Sequence, residues 1–365
     1  MEEAAAERAT PADVASLPRI GFVGVGAMGG ALALALAARG VRVVAVAARH
    51  HERAQALAAR IPGCVAVESP AAVAARSDLV VVATPDDAIA QVAALPIWSA
   101  GQGAVHLSGA MGAEQLAAAA EQGVRIGALH PLLTFPTALR DATPDDILTR
   151  MAGATWAVEA PDPALDTTLR RVVAALAGRA ITLSAADRAP YHLAAVLSSN
   201  YVVALLGAAV ALWESFGVAP NDALQALLPL LRGAVDNLGA VGLPNALTGP
   251  LARGDRSTIA THLAWLRAHT QPAPTSAPTT SLTAATAMPS SLPPTNEDSP
   301  TAPNPPSSGA ELTTQQAILA ELNAAYIALA RLTIPLALAK GTLTDEMAAQ
   351  IRALLAGQPG DAPPE

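Results

Sequence analysis

Three glycines near the start of the chain have the spacing of a phosphate-binding turn, GxGxxG. They follow an apolar run that is typical of a buried strand, and a helical stretch begins directly after them. In such a turn the first glycine permits a tight bend, the second lets the backbone approach a pyrophosphate, and the third allows the helix to pack closely on the strand. A purely structural turn is the alternative. We predict dinucleotide binding by Gly24, Gly26, Ala27, Met28 and Gly29.

The residue after the second apolar run indicates which dinucleotide is bound. An acidic side chain about twenty residues after the glycines would hold the ribose 2′-hydroxyl of NAD. Arg49 stands there instead, in the stretch VAVAARHHER. Because a guanidinium binds a phosphate through two hydrogen bonds, we predict NADP as the cofactor and Arg49 as the ligand of its 2′-phosphate. The alternative is a solvated basic helix start.

Three further apolar runs end in polar residues or glycine. In a doubly wound sheet the ligand lies over the carboxyl ends of the strands, so these residues converge on one edge. We expect the cofactor site to include Thr84, Pro85, Ser108 and Gly109. His130 follows the sixth run, directly before a proline, and we expect it to line the cofactor–substrate cleft. A packed turn residue is the alternative.

Polar side chains also interrupt an apolar helical stretch, YHLAAVLSSNYVV. On a continuous helix His192 and Ser199 share a face, and Asn200 lies roughly 80° round from His192. Such groups are costly on an apolar helix unless they are paired or used. The functional hypothesis makes His192 a proton donor or acceptor, with Asn200 and Ser199 orienting the substrate or cofactor amide. The alternative is a hydrogen-bond network between helices. Tyr191 is a further candidate donor.

The remaining polar clusters indicate little chemistry. In the stretch ALTGPLARGD, Thr248, Arg253 and Asp255 could bind an anionic substrate across a dimer, but a helix-cap turn is the favoured interpretation. The histidines lack partners at metal-ligand spacing, so we predict no metal site.

The elements that position these residues follow from the hydrophobic pattern. Apolar Val/Ile/Leu/Ala runs alternate with helical stretches, which predicts an α/β Rossmann fold, a doubly wound parallel sheet covered on both faces. Strands are predicted at Arg19–Val23, Val41–Ala47, Cys64–Val67, Leu79–Ala83, Ala104–Leu107 and Arg125–Leu129, with additional edge strands at Thr155–Glu159 and Ala180–Leu183.

From about Ala185 helices dominate. They are predicted at Asp187–Phe216, Asn221–Leu238, Asp255–His269, Thr313–Leu332 and Asp345–Leu355. A Pro/Thr/Ser-rich segment separates the third from the fourth and is expected to be disordered. The predicted organisation is a disordered tail at 1–17, a Rossmann NADP-binding domain at 18–184, an all-helical domain at 185–269 plus 311–357, a disordered insertion at 270–310, and a tail at 358–365.

The composition narrows the class of protein. The 365 residues carry 22 basic and 30 acidic side chains, and the net charge of −8 argues against nucleic-acid and polybasic membrane-surface roles. The single cysteine, Cys64, excludes an internal disulfide and a cysteine-based zinc site. The N-terminus is acidic and lacks the apolar core of a signal peptide. We expect a cytoplasmic protein with no nucleic-acid and no membrane partner.

One uncharged apolar stretch, His192 to Trp213, is long enough to cross a bilayer. It contains a histidine, two serines and an asparagine, and no basic flank sets an orientation. The pattern therefore favours a central helix of a soluble protein, buried on all sides.

The ordered set of motifs resembles a known family. GFVGVGAMGGALA, VVATPDDAI, VHLSGAMG, ALHPLLTFP, YHLAAVLSSNYVVALL and NALTGPLARGD are similar to Rossmann-type NADP oxidoreductases that carry a C-terminal helical domain of unknown function. Distant relatives are pyrroline-5-carboxylate reductase, the deazaflavin-dependent NADP reductases and the 6-phosphogluconate dehydrogenase superfamily. The resemblance implies a Rossmann domain, a 6-phosphogluconate-dehydrogenase-like all-α domain and a homodimer formed through the helices.

One departure from the superfamily bears on mechanism. Its hydroxyacid dehydrogenases typically place a lysine four residues before an asparagine on this helix, where this chain has Val196 before Asn200. The first lysine of the chain is Lys340, so a lysine-dependent mechanism at this position is excluded.

Together these observations predict an NADP-dependent oxidoreductase of a small carbonyl or imine compound, with His192, Asn200 and His130 as candidate catalytic residues in a cleft between the two domains. One alternative is a non-catalytic NADP-binding sensor or scaffold. Another is an imine reductase similar to pyrroline-5-carboxylate reductase.

Overall fold

The computed structural model describes residues 10–135, 142–269 and 313–357. By internal contacts the chain divides into two compact units, the first ending at Tyr201 and the second beginning at Val202. The first unit extends beyond the predicted boundary at residue 184, because the helix that follows contacts it through Arg188, Tyr191 and His192.

The first unit contains one sheet of eight strands. They are β1 Ile20–Val23, β2 Val43–Ala47, β3 Val65–Ala66, β4 Leu79–Val82, β5 Gly103–His106, β6 Arg125–Pro131, β7 Thr155–Glu159 and β8 Arg179–Thr182. Their order across the sheet is β3-β2-β1-β4-β5-β6-β7-β8. Strands β1 to β6 are parallel, β7 is antiparallel to β6, and β8 is parallel to β7. The chain changes direction across the sheet between β1 and β4, which is the switch point of a doubly wound fold.

The described residues of the first unit form nine complete α-helices. They are α1 Pro11–Ala15, α2 Ala27–Ala38, α3 His51–Ala58, α4 Pro70–Ala74, α5 Asp86–Ala93, α6 Ala117–Ala120, α7 Pro144–Met151, α8 Pro163–Ala175 and α9 Arg188–Ser198. Four of them begin with a proline after a capping side chain that accepts a backbone N–H, namely α1, α4, α7 and α8 after Thr10, Ser69, Thr143 and Asp162. Proline fits the first helical turn and the cap satisfies an unpaired N–H, so the local sequence fixes these starts.

The core lies on both faces of the sheet. In β1, Ile20 and Phe22 pack into one buried cluster, whereas in β4 Val81 belongs to that cluster and its neighbours Val80 and Val82 belong to the cluster on the opposite face. This alternation follows from the two-residue repeat of a strand, and burial on both faces accounts for the unbroken apolar runs. The predicted Rossmann architecture is confirmed.

Two details of the predicted first unit are wrong. Strand β7 has the predicted bounds but lies between β6 and β8, so of the two predicted edge strands only β8 is at an edge. Within the predicted tail, Thr10 caps helix α1 and Leu17 is buried. Arg171 of α8 donates to the carbonyl of Asp13 and attaches this segment to the first unit. Residues 1–9 lie outside the described part of the chain.

The described residues of the second unit form helices and the loops that connect them, as predicted. Its helices are α10 Asn200–Glu214, which begins with the last two residues of the first unit, α11 Pro220–Val241, α12 Pro250–Arg253, α13 Arg256–His269, α14 Thr314–Lys340 and α15 Asp345–Leu355. Ile259 and Leu263 of α13, Ile334 of α14 and Ile351 of α15 form its buried core. The predicted insertion at 270–310 and the tail at 358–365 lie outside the described residues.

The predicted single helix Asp187–Phe216 is interrupted at Ser199. The backbone there has φ −126° and ψ −73°, outside helical geometry, so α9 ends at Ser198 and α10 starts at Asn200. The shared face expected for His192 and Ser199 assumed a regular helix and therefore does not apply.

Two stretches of 27 residues, 188–214 and 314–340, are long and apolar enough to cross a membrane by length and composition alone. Few residues of the first are buried in this single chain: Val203 is 73% exposed, and Leu193 and Leu197 are about half exposed. The prediction of a helix buried on all sides is wrong for the isolated chain. The apolar surface of this stretch is larger than the area that the rest of the described chain covers.

Candidate functional site

The glycine-rich turn connects β1 to α2 as predicted. Gly24 has φ +100°, and a Cβ there would lie 2.5 Å from the carbonyl oxygen of Ala83. A Cβ on Gly29 would lie 2.7 Å from the Cβ of Ala83, whereas one on Gly26 would meet nothing within 4 Å. The first and third glycines are thus required by close packing, and the second leaves the N-terminus of α2 open to a ligand.

A cavity of 670 Å³ lies beside this turn. Its size falls within the range of small-molecule and cofactor sites. The predicted residues Gly24, Gly26, Arg49, Thr84 and Pro85 line it. The side-chain oxygen of Thr84 is buried and has no hydrogen-bond partner among the described residues. An open helix N-terminus and an unpaired buried hydroxyl both fit a phosphate-bearing nucleotide.

Not every predicted cofactor residue lines this cavity. Ala27, Met28, Gly29, Ser108 and Gly109 are absent from its walls. Gly29 lies beneath the turn, against Ala83.

The end of β2 presents basic side chains to the same cavity. Arg49, His50 and Arg53 all line it, and Arg49 is exposed. The nearby Glu68 forms an ion pair with His51, with Nε2 and Oε1 3.1 Å apart. Arg53 lies in the first turn of α3 and lines the same cavity as Arg49, so a second guanidinium is placed near the region where a 2′-phosphate would bind. Sequence reasoning noted Arg53 only as part of a basic cluster.

A cluster of three proton-exchanging side chains lies beyond the carboxyl ends of β5 and β6. The Nδ1 atom of His130 is 2.8 Å from the hydroxyl of Tyr191, and the two rings meet edge to face. The ring of His192 lies 6.2 Å from that of His130, centroid to centroid. Helix α9 supplies Tyr191 and His192, and the end of β6 supplies His130. The sequence prediction placed all three near one site, and the structure brings them into contact.

Gly109 makes this contact possible. A Cβ on Gly109 would lie 2.6 Å from Nε2 of His130 and 2.7 Å from Nδ1 of His192. Two ring nitrogens therefore converge on one point beside its backbone. The Nδ1 atom of His192 is buried without a partner, and Nε2 of His130 has no partner among the described residues. Both nitrogens lie against the backbone of Gly109.

The loop that carries Gly109 is held by a polar network. The hydroxyl of Ser108 donates to Asp86 and accepts from the N–H groups of Ala110 and Met111. The N–H of Ser108 in turn donates to Nδ1 of His106, so the ring proton of His106 lies on Nε2 and donates to the carbonyl of Gly112. The Ser108 hydroxyl is thus fully used within the protein, and its predicted cofactor contact stays a prediction.

Burial governs protonation in the cluster. Burial, followed by the charges of His192 and Arg188, lowers the pKa of His130 to about 4. Burial raises the pKa of Tyr191, which Arg188 partly opposes, and it lowers the pKa of His106. At neutral pH the site therefore contains an uncharged His130 hydrogen-bonded to a protonated Tyr191.

Other predicted residues lie apart from these contacts. Asn200 is exposed at the start of α10, and none of the described hydrogen bonds joins it to the cluster. Its catalytic role stays a prediction. Asp255 accepts hydrogen bonds from Thr258 and Ser257, which lower its pKa to about 2. It therefore caps α13, in agreement with the favoured interpretation of a helix-cap turn. Lys340 donates to the carbonyls of Asn245 and Leu247, in the loop between α11 and α12.

Sequence reasoning missed an ion pair at the site. Arg188, the first residue of α9, contacts Glu159 at the end of β7 and lies near the carbonyls of Ser108 and Gly109. The available signal was a charged residue opening an otherwise apolar helix, three positions before Tyr191.

Two family models match parts of the chain. Residues 19–107 match the family described as NADP oxidoreductase, coenzyme F420-dependent, and residues 154–278 match a domain of unknown function, DUF2520. The second match begins within the first unit and continues into the second. None of the curated proteins matches the chain.

Solved structures share the fold of the chain, with its Rossmann sheet and C-terminal helices. A protein from Bacteroides fragilis described as a "putative NADP oxidoreductase" is 23% identical, with a TM-score of 0.55, over 68% of this chain and 91% of that one. A Thermotoga maritima protein is also 23% identical, with a TM-score of 0.52, over 68% of this chain and 90% of that one. The 1-pyrroline-5-carboxylate reductase of Streptococcus pyogenes is 17% identical, with a TM-score of 0.51, over 69% of this chain and 92% of that one.

These findings confirm the predicted resemblance to NADP oxidoreductases with a domain of unknown function, and the predicted Rossmann-plus-helical fold. The family description also names NADP, which confirms the predicted cofactor. They support an NADP-dependent reductase and leave its substrate open.

Replacing Gly109 with alanine should separate His130 from His192, since the new methyl group would overlap both rings. We expect Gly109→Ala to reduce the free energy of unfolding by about 1–3 kcal/mol, as overpacking does. Gly30→Ala on α2 is the matched control, because its Cβ would meet only the Val25 carbonyl, at 3.9 Å. Urea denaturation compares the two variants. Equal stability would contradict the described packing at Gly109.

Proposed function

We propose that the protein is an NADPH-dependent reductase of a small compound with a C=O or C=N bond. The observation that carries this proposal is the contact of His130 with both Tyr191 and His192 beside Gly109, at the strand ends of a region that matches an NADP oxidoreductase model. Reduction of a carbonyl needs a hydride and a proton, and these side chains can supply the proton.

In this proposal the cofactor, when bound, supplies the hydride. Arg49 and Arg53 bind the 2′-phosphate, and the open N-terminus of α2 at Gly26 receives the pyrophosphate. The unpaired hydroxyl of Thr84 donates to the nucleotide. Each of these groups lines the same cavity.

The proton comes from the Tyr191–His130 pair. Tyr191 is protonated at neutral pH, and the neutral imidazole of His130 can hydrogen-bond to its hydroxyl as donor or acceptor. When His130 donates from Nδ1, the Tyr191 hydroxyl is free to give its proton to the reduced oxygen or nitrogen. His130 then passes its Nδ1 proton to the Tyr191 oxygen and takes up one at Nε2 from solvent water, which replaces the proton given to the product. His192, with its unpaired Nδ1, orients the acceptor.

We also propose that two copies associate through the exposed helices. Eleven of the fifteen large apolar residues that are exposed in the described chain lie between 193 and 243. This group of exposed apolar side chains, the apolar patch, marks an association surface. Insertion into a bilayer would remove Arg188 and Tyr191 from their contacts with the sheet, so a second copy is the favoured occupant.

Arg49→Ala should weaken NADPH binding by about 10- to 100-fold, the loss expected when a charged hydrogen bond of about 1.5–3 kcal/mol is removed. NADH has no 2′-phosphate, so its affinity should be nearly unchanged. Fluorescence titration of both nucleotides measures this, with Arg39→Ala, an exposed arginine just after α2, as the control. An equal loss for both nucleotides would remove Arg49 from phosphate binding.

Tyr191→Phe and His130→Asn should lower turnover by about 10²- to 10⁴-fold, the usual contribution of general acid catalysis, while NADPH affinity persists. NADPH oxidation at 340 nm is followed with aldehydes, ketones and cyclic imines, 1-pyrroline-5-carboxylate among them. Tyr326→Phe and His262→Asn remove a matched His–Tyr pair, 3.0 Å apart, in the second unit. Full turnover in the Tyr191 variant, or tight NADPH binding without turnover of any acceptor, would refute the proposal.

Val203→Glu and Leu230→Glu should dissociate the dimer, because each places a charge on a side chain that is about three-quarters exposed within the apolar patch. Light scattering after size exclusion gives the mass. Val65→Glu on the edge strand β3 is the control and should leave the dimer intact. A monomeric wild-type protein that floats with phospholipid vesicles would identify a membrane as the occupant and overturn the proposal.

A further inference from the structure

Arg188 is the only buried charged residue in the described chain, at 3% exposure. A buried charge is costly unless it is paired and its hydrogen bonds are met. Its location at the first turn of α9, where an exposed side chain would be ordinary, therefore calls for a physical reason.

The guanidinium of Arg188 joins three elements of the site. Its Nε and Nη2 both contact the carboxylate of Glu159, with Nε 3.1 Å from Oε2. Its Nη1 lies 3.4 Å from the carbonyl oxygens of both Ser108 and Gly109. One planar group thereby ties α9 to the end of β7 and to the loop after β5, which a single-point cation such as lysine cannot do.

This attachment sets where the proton-exchanging side chains lie. Tyr191 and His192 follow Arg188 by three and four residues, so on the helix they project from the same side. Fixing the first turn of α9 therefore fixes both rings. The same guanidinium holds the backbone of Gly109, the point on which His130 and His192 converge.

Arg188 also acts on the charge of the cluster. Its positive charge disfavours protonation of His130, as does His192, and favours ionisation of Tyr191. The other charged or titratable groups that act on His130 are Asp86 of α5, which opposes Arg188, and His106 of β5, which does not. Glu159 compensates the guanidinium directly through their contact.

We propose that Arg188, held by Glu159, is a positioning residue that aligns Tyr191 and His192 with His130. This inference rests on the proposed reductase function for its kinetic consequence. Its structural part stands on the contacts alone.

The test compares Arg188→Met with Arg188→Lys. The first removes both the charge and the fork of hydrogen bonds; the second keeps the charge and loses the fork. We expect Arg188→Met to lower kcat by about 100-fold, the order expected from a misplacement of about 1 Å. Arg188→Lys should lose less. NADPH affinity should be unchanged in both, because Arg188 does not line the nucleotide cavity.

A second readout does not depend on turnover. NMR titration follows the ring resonances of the seven histidines, and the His130→Asn variant identifies that of His130. In Arg188→Met the midpoint of His130 should move from about pH 4 toward its ordinary value, because a neighbouring cation is lost. In Arg188→Lys it should stay near the wild-type midpoint.

Arg170→Met supplies the matched control, since it breaks a partly exposed Arg–Asp pair on α8 and should alter neither readout. An unchanged His130 midpoint in a folded Arg188→Met protein would overturn the inference, whatever the loss of stability. If no acceptor is reduced, the proposed function fails, and the titration still decides the role of Arg188.

Discussion

Parallel pairing of β1 with both β2 and β4 is the constraint on which the site depends. Because the chain leaves β1 toward one side and later returns to the other, the loops after β1 and β4 separate and leave a cavity between them. The close approach of Gly29 to Ala83 fixes the start of α2 at this opening. The nucleotide cavity is therefore a consequence of strand order, and the side chains that line it refine its selectivity.

Features encoded locally were predictable from sequence. All eight strands appear where apolar runs indicated them, and helix α15 has the predicted bounds, because burial on both faces and capping residues act over a few positions. The glycine turn and Arg49 also lie where spacing placed them. The antiparallel insertion of β7 between β6 and β8 was missed, since a short apolar run carries no information about its neighbours across the sheet.

The contacts between distant segments were harder to anticipate. His130 and Tyr191 are separated by 61 positions, and Arg188 reaches residues 29 and 80 positions away. Only the fold brings them together. The apolar stretch 188–214 posed a related problem, because its composition suits a core helix, a subunit interface and a membrane span equally well. Few of its residues are buried in the described chain. Composition measures how much apolar surface must be covered, without specifying by what.

Burial explains why this cluster uses a neutral histidine and a tyrosine. A lysine there would lose its charge or require an anion, whereas His130 and Tyr191 are uncharged at neutral pH and can exchange a proton without creating an isolated ion. The one full charge that the site does bury, Arg188, is matched by Glu159 and by two backbone carbonyls. The buried charge is thus confined to the Arg188–Glu159 pair. His130 and Tyr191 can exchange a proton because neither carries a permanent charge.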